Sequence, residues 1–199
     1  MEHLPFGDRM KAMSDALARK LSGYFPVNPA TTAVLDSLCD RVVEFAPGAV
    51  IVGQDAPHEA IYLIDNGWAL RARNMENGAR QIVNVALPGD FVGLNALLFA
   101  ESDFDHVART HVTAFRIEPE RARKAFDSIP NLSAALFWAN AHEESILAER
   151  IVSLGRRSAR ARAAHVLCEF VARLEILEEA RFPELAAPIS QEDFADILG

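Results

Sequence analysis

Between Val42 and Ile117 the sequence falls into short β-prone runs, each stopped by turn residues, and no other feature limits the fold as tightly. The runs are VVEF, AVIV, AIYLI, ALRAR, QIVNVAL, DFVGL and TAFRI. Their stops are Pro47-Gly48, Asp65-Asn66-Gly67, Asn77-Gly78 and Pro88-Gly89-Asp90. Many short strands at near-regular spacing, with glycine at the corners, predict an all-β roll, sandwich or barrel. Glu76-Asn77-Gly78 is the strongest hairpin signal, because Asn-Gly accepts the positive φ of a type I′ turn.

Helical patterns flank this block, so the fold class is α+β. Residues 8–25 carry Met10, Met13, Leu17 and Leu21 at helical spacing and close at Phe25-Pro26, and a shorter helix is expected over 31–38. Pro119 suits the first turn of a helix, where its missing N–H costs nothing, and that helix is expected to end near Ile129-Pro130. A longer helix follows over 131–154, about 36 Å at 1.5 Å per residue. Leu136, Ala139, Ile146, Leu147, Ile151 and Leu154 form its apolar seam, interrupted by Asn140, His142 and Glu143. A helix of that length suits pairing with a second copy of the chain, and Gly155 is expected to break it. Residues 158–179 read as helix again, with Val166, Phe170 and Leu174 on one side, and a polar connection over 181–188 leads to Ile189-Ser190-Gln191-Glu192-Asp193. Ser190 with Asp193 three residues on matches a capping box, and Gly199 is a helix-stop signal.

Composition bounds the function. A chain of 199 residues, half hydrophobic and one quarter charged, has the profile of a soluble globular protein of one large or two small domains. No apolar run approaches the roughly 18 residues that span a bilayer, and the charged N-terminus lacks the apolar core of a signal peptide. Cys39 and Cys168 follow no metal spacing and read as buried thiols in a reducing cytoplasm. The net charge of −8 excludes a chain that coats nucleic acid over its whole surface, yet the charge is uneven. Arg150, Arg156, Arg157, Arg160, Arg162 and Arg173 face a single acid, Glu169, so 150–173 carries +5 and the rest −13. Such a segment suits one nucleic-acid-facing end or, more blandly, a solvated helix face.

In this order and spacing the motifs resemble the Crp–Fnr superfamily of bacterial transcription regulators, from about Leu35 to Gly199. The resemblance rests on Pro47-Gly48, Ile61-Tyr62-Leu63-Ile64 with Gly67, Asn77-Gly78, Leu87-Pro88-Gly89-Asp90-Phe91-Val92-Gly93, EESILAERIVSLGRRSA from Glu143 to Ala159, and ISQEDFADILG from Ile189 to Gly199. It implies a cyclic-nucleotide-binding-like β-roll sensor over 1–130, a dimerisation helix and hinge over 131–155, and the start of a winged helix-turn-helix over 156–199. In that family a recognition helix and a β-wing follow the position of Gly199, so the sequence reads as cut within the helix-turn-helix. The resemblance further implies an effector pocket at Gly89, Phe91, Gly93, Leu94, Asn95 and His106, with Arg156, Arg157, Arg160, Ser190 and Gln191 towards the DNA backbone. An effector would shift the helix pair and reorient the DNA-binding ends. The implied partners are DNA, a second copy, RNA polymerase and an unnamed small-molecule effector, in the cytoplasm and away from membranes.

The pocket departs from the cyclic-nucleotide pattern. Leu94-Asn95 follows Gly93 where a ribose-binding glutamate is expected. Glu101, Asp103 and Asp105 stand where an Arg-Ser or Arg-Thr pair would hold the phosphate, and an anion needs donors there. Cyclic AMP and cyclic GMP are therefore not expected to bind, and the four cysteines of an iron–sulfur member are missing. His106 and His111 read as loop histidines, and no metal site is expected.

Two rival readings share part of this pattern. A cupin-type metalloenzyme would use the same β-roll and the His58-Glu59 pair, but Ala60 stands where its second histidine belongs. A ligand-binding module with no DNA role would not need the capped helix after Ser190. With neither a Gly-x-Ser-x-Gly motif nor a phosphate loop, the chain reads as a non-enzyme.

Overall fold

The computed structural model describes residues 37–128, 130–176 and 187–199. The helix expected over 8–25 lies outside them, as do most of the one over 31–38 and most of the connection over 181–188. Eight strands follow: β1 (Cys39–Phe45), β2 (Val50–Val52), β3 (Ile61–Asn66), β4 (Ala69–Asn74), β5 (Arg80–Ala86), β6 (Phe91–Val92), β7 (Asp105–Ala108) and β8 (Val112–Ile117). A 3-10 helix (Leu94–Leu97) interrupts them, and four helices come after: α1 (Pro119–Ser128), α2 (Pro130–Arg156), α3 (Ala159–Ile176) and α4 (Gln191–Leu198).

The strands form two antiparallel four-stranded sheets, ordered β1-β8-β3-β6 and β2-β7-β4-β5. Between them lies a core of small and branched side chains, among them Val52, Ile64, Ala86, Val92 and Val112. The far side of the first sheet packs Leu63 and Phe115 against Ala96 of the 3-10 helix and Ala122 and Ala125 of α1. The second sheet turns Leu70, Ile82, Val85 and Leu87 outward beneath Val166, Phe170 and Leu174 of α3 and Ile197 of α4. Trp68 meets Phe170 edge-on, with ring centroids 5.5 Å apart. Both faces of that sheet are therefore covered, one by its partner sheet and one by helices.

The β4–β5 hairpin closes differently from expectation. Only Gly78 takes positive φ, +84°, and Asn77 stays on the negative side. The Gly78 N–H donates to Met75 O (2.9 Å) and the Met75 N–H to Ala79 O (2.8 Å). This is a type I turn followed by a left-handed glycine, a longer loop than a type I′ pair. At Gly67 (φ +90°) an added Cβ would lie 2.2 Å from His111 O, so β3 and the β7–β8 loop approach at a distance only glycine allows.

Four further expectations are corrected. His106 was expected in a loop and belongs to β7, a strand hidden by the acidic text around it. Gly155 does not break α2, which runs 27 residues to Arg156, because an exposed helical glycine costs only about 1 kcal/mol. Cys39 is buried, and burial, with the Asp40 charge beside it, pushes its thiol up to about 11, whereas Cys168 is exposed on α3. The arginine-rich stretch is largely neutralised by the fold. Arg150 pairs with Glu169 (3.2 Å), Arg157 with Glu149 (3.1 Å), and Arg173 with Asp90 (2.5 Å) and Glu169 (3.1 Å). Arg162 donates to the carbonyls of Leu198 and Gly199 at the end of α4. Among the described residues no helix is long and apolar enough to cross a membrane.

Candidate functional site

The inner faces of β4, β5 and β7 bring Arg71, Asn84 and His106 to one end of the roll. Phe91 and Leu94 close one side, His142, Glu143 and Ile146 of α2 form a roof, and Asp90 and Arg173 of α3 complete the wall. The cavity is partly open to solvent and leaves about 30 Å³ for water, room for one or two molecules. It is small because its own side chains fill it. Arg71 Nη1 lies 2.7 Å from Glu143 Oε1, and Asn84 Nδ2 donates to the same oxygen at 3.3 Å. The Arg71 guanidinium also sits 4.2 Å from the centre of the Phe104 ring.

His106 lies in this wall with its Nδ1 buried and unpartnered. Burial, helped by the charges of Arg71 and His58, pushes its pKa down to about 3, so it is neutral at ordinary pH. His58, behind it, is lowered by burial as well, and Gly93 and Asn95 line the adjoining space with it. Gly89 lines neither space; its N–H donates to Ile64 O (2.7 Å) at the β5–β6 turn. Of the expected pocket residues, then, Phe91, Gly93, Leu94, Asn95 and His106 gather there and Gly89 does not.

None of the three carboxylates expected at the phosphate position lines the cavity or the space beside it. Asp105 accepts from the Gln54 N–H (2.6 Å) and from the Asn74 amide, the Asp103 carbonyl accepts from Arg73, and Glu101 bridges Pro57. The charge inside the pocket belongs instead to Arg71, Arg173, Glu143 and Asp90. Sequence reading missed these because ALRAR looks like a strand with solvated arginines, and because Glu143 and Arg173 arrive from helices 72 and 83 residues away from Arg71 and Asp90 respectively. Among the described residues no cluster of three or more His, Cys, Asp or Glu could hold a metal ion.

Helix α2 has two unlike sides. Ile146, expected in the apolar seam, lines the cavity. Phe137, Ile151, Val152 and Leu154 are exposed, Ile151 by 71%. Leu147 is half-buried, and Leu136 and Ala139 fall outside the described side chains. Farther along, Arg156, Arg160 and Gln191 are exposed. Ser190 is occupied as the N-cap of α4: its Oγ accepts from the Asp193 N–H (3.0 Å) and its own N–H donates to the Asp193 carboxylate (3.2 Å). The capping box expected from sequence is present.

Residues 42–128 match the cyclic nucleotide-binding domain family. Over 80% of its length the chain is 30% identical to the nitrogen fixation regulation protein FixK of Bradyrhizobium diazoefficiens, covering 66% of that protein. It is 27% identical to the transcriptional activatory protein AadR of Rhodopseudomonas palustris over 87% of the chain and 71% of the relative. The chain thus spans about two thirds of the length of these relatives. The solved structure of FixK2 from Bradyrhizobium japonicum superposes with a TM-score of 0.72 at 25% identity, covering 79% of this chain and 76% of that one. The c-di-GMP-responsive regulator CLP of Xanthomonas campestris, at 13% identity and a TM-score of 0.67, shares the fold. A β-roll closed by a long helix, a matching cyclic nucleotide-binding domain and relatives named as regulators lead to one assignment: the chain belongs to the Crp–Fnr family.

Proposed function

We infer that the chain is the sensor, dimerisation helix and first DNA-domain helices of a cytoplasmic, DNA-binding transcription regulator that works as a homodimer and not as an enzyme. One observation carries this reading. The same helix that roofs the cavity with Glu143 and Ile146 turns Phe137, Ile151 and Val152 to solvent. An exposed apolar stripe on a 27-residue helix is the surface a second copy covers. Its opposite side touches the pocket, so a change in the pocket reaches the dimer seam through a single rigid element. The relatives are named as regulators and an activator, which supports the DNA role. Arg156 and Arg160 are the exposed arginines for phosphate contacts, and such contacts position a protein without reading sequence. RNA polymerase is the partner such a regulator would recruit.

The effector is not a cyclic nucleotide on this reading, for a reason other than carboxylate repulsion. Arg71 is already held by Glu143 and Arg173 by Asp90 and Glu169, so neither arginine is free to take a phosphate. An incoming ligand must displace Glu143, which makes that residue the link between binding and α2.

Light scattering at micromolar concentration should give about twice 21.9 kDa, and Ile151→Glu should halve it. A chain carrying a recognition helix and wing after Gly199 should select a palindrome with half-sites about one helical turn apart in competition against genomic fragments. A monomer at every concentration, or a dimer that selects no fragment over bulk DNA, overturns the reading.

A further inference from the structure

Helix α4 contains Glu192, Asp193 and Asp196 and no basic residue, an odd charge for a helix expected near DNA phosphates. Two of the three acids are taken up by arginines of the β-roll. Arg80, first residue of β5, lies 2.9 Å from Asp193 Oδ1 and 2.7 Å from Asp196 Oδ2, and its Nε donates to Asp196 (2.8 Å). Arg109, just after β7, lies 2.6 Å from the other Asp193 oxygen. Gln81 Nε2 donates to Asp196 O at 2.6 Å. The Asp193 carboxylate is buried, at 8% exposure. Burial alone would raise its pKa, but bonds from Ser190 and the charges of Arg109 and Arg80 hold it below the usual range. It therefore serves the capping box and the inter-element pair at once.

We propose that Arg80 and Arg109 form an electrostatic latch that fixes the first DNA-domain helix to the sensor sheet within one chain, and that α4 moves as a unit when the latch opens. The strands that carry the latch also carry the pocket. Asn84 lies four residues along β5 from Arg80, and His106 three residues before Arg109, so pocket and latch are about 13 Å apart on one strand and about 10 Å on the other at 3.3 Å per residue. A shift of either strand is felt by α4 without passing through α2 or a second copy. The coupling rests on the pocket reading above; the latch itself does not.

Amide hydrogen exchange on the 199-residue chain tests the latch. In Arg80→Gln/Arg109→Gln, amides Phe194 to Gly199 should exchange about tenfold faster or more, while β3 and β8 stay within about twofold of wild type, because charge-assisted bonds to one helix are lost and the sandwich is untouched. The swap Arg80→Asp with Asp196→Arg should recover most of the protection, and 1 M salt should accelerate α4 in wild type more than in the double variant. Unchanged exchange in α4, or equal acceleration of β3 and β8, overturns the latch. The readout involves neither DNA nor effector, so a failed latch leaves the regulator reading standing, and a failed regulator reading leaves the latch.

Discussion

The two faces of the second sheet are held by different physics. Towards the first sheet it buries Val52, Ala69, Ala86 and Ala108 in an apolar layer, with Arg71, Asn84 and His106 at its cavity end. Towards α3 and α4 it buries Trp68, Ile82, Val85 and Leu87 beneath Phe170 and Ile197, ringed by Arg80, Arg109 and Arg173 with their carboxylates. The apolar part of the inner layer draws on hydrophobic burial, which is non-directional. The outer layer adds directional pairs that fix how each helix sits, and such pairs weaken as salt rises or a partner is lost. The comparison teaches that α3 and α4 are attached to the β-roll, and that the attachment is the more easily changed of the two.

The largest test of this contrast is Phe170→Ala. Phe170 is fully buried, and its removal should cost about 3–5 kcal/mol. Denaturation followed by Trp68 fluorescence should then move to lower denaturant ahead of exchange protection in β3 and β8. A single transition shared by both faces would merge the two layers into one unit. The pH dependence separates them further. His106 has its pKa pushed down to about 3 in the fold and near 6.5 in the unfolded chain. Between those values the unfolded chain binds a proton that the folded chain refuses, so stability falls as pH drops from 6.5 towards 3, by up to about 1.4 kcal/mol per unit. Stability is fully present above 6.5, and His106→Gln should flatten the slope when melting is followed from pH 4 to 7. A slope unaffected by that substitution would place the titrating group elsewhere. Smallest is Ser190→Ala, which should cost α4 about 1 kcal/mol through the lost cap. Exchange in α4 should quicken while α3 keeps its rates, and equal loss in both would show that α4 and α3 open together.

How much was legible in the sequence follows the same division. The β-roll announces itself because turn glycines and short apolar runs are local signals, and so is the Ser190-Asp193 cap. Strand β7 was missed because Asp103, Phe104 and Asp105 read as an acidic loop; the partners that tie Asp105 down, Gln54 and Asn74, lie on other hairpins. Arg173, read only as part of a basic stretch, is bound within the fold, since it finds Asp90 across 83 residues and no local pattern reports such a pairing, while Arg156 and Arg160 stay exposed. The seam residue Ile146 was misplaced for a related reason: helical spacing finds an apolar stripe but not which of two apolar neighbours it faces.

The register of β4 against β5 slips by one between Arg71 and Ala72, leaving Val83 without a partner. Strict alternation would put Ile82 and Asn84 on the same side. The extra residue inverts the phase, so Ile82 and Val85 both point to the helices while Asn84 turns into the cavity. One strand thus speaks to two compartments through a single counted residue, as a frameshift changes the reading of everything downstream. In comparing relatives, the length of this hairpin is therefore as informative as its letters. A chain that lost this extra residue would exchange which of the remaining side chains face the cavity and which face the helices.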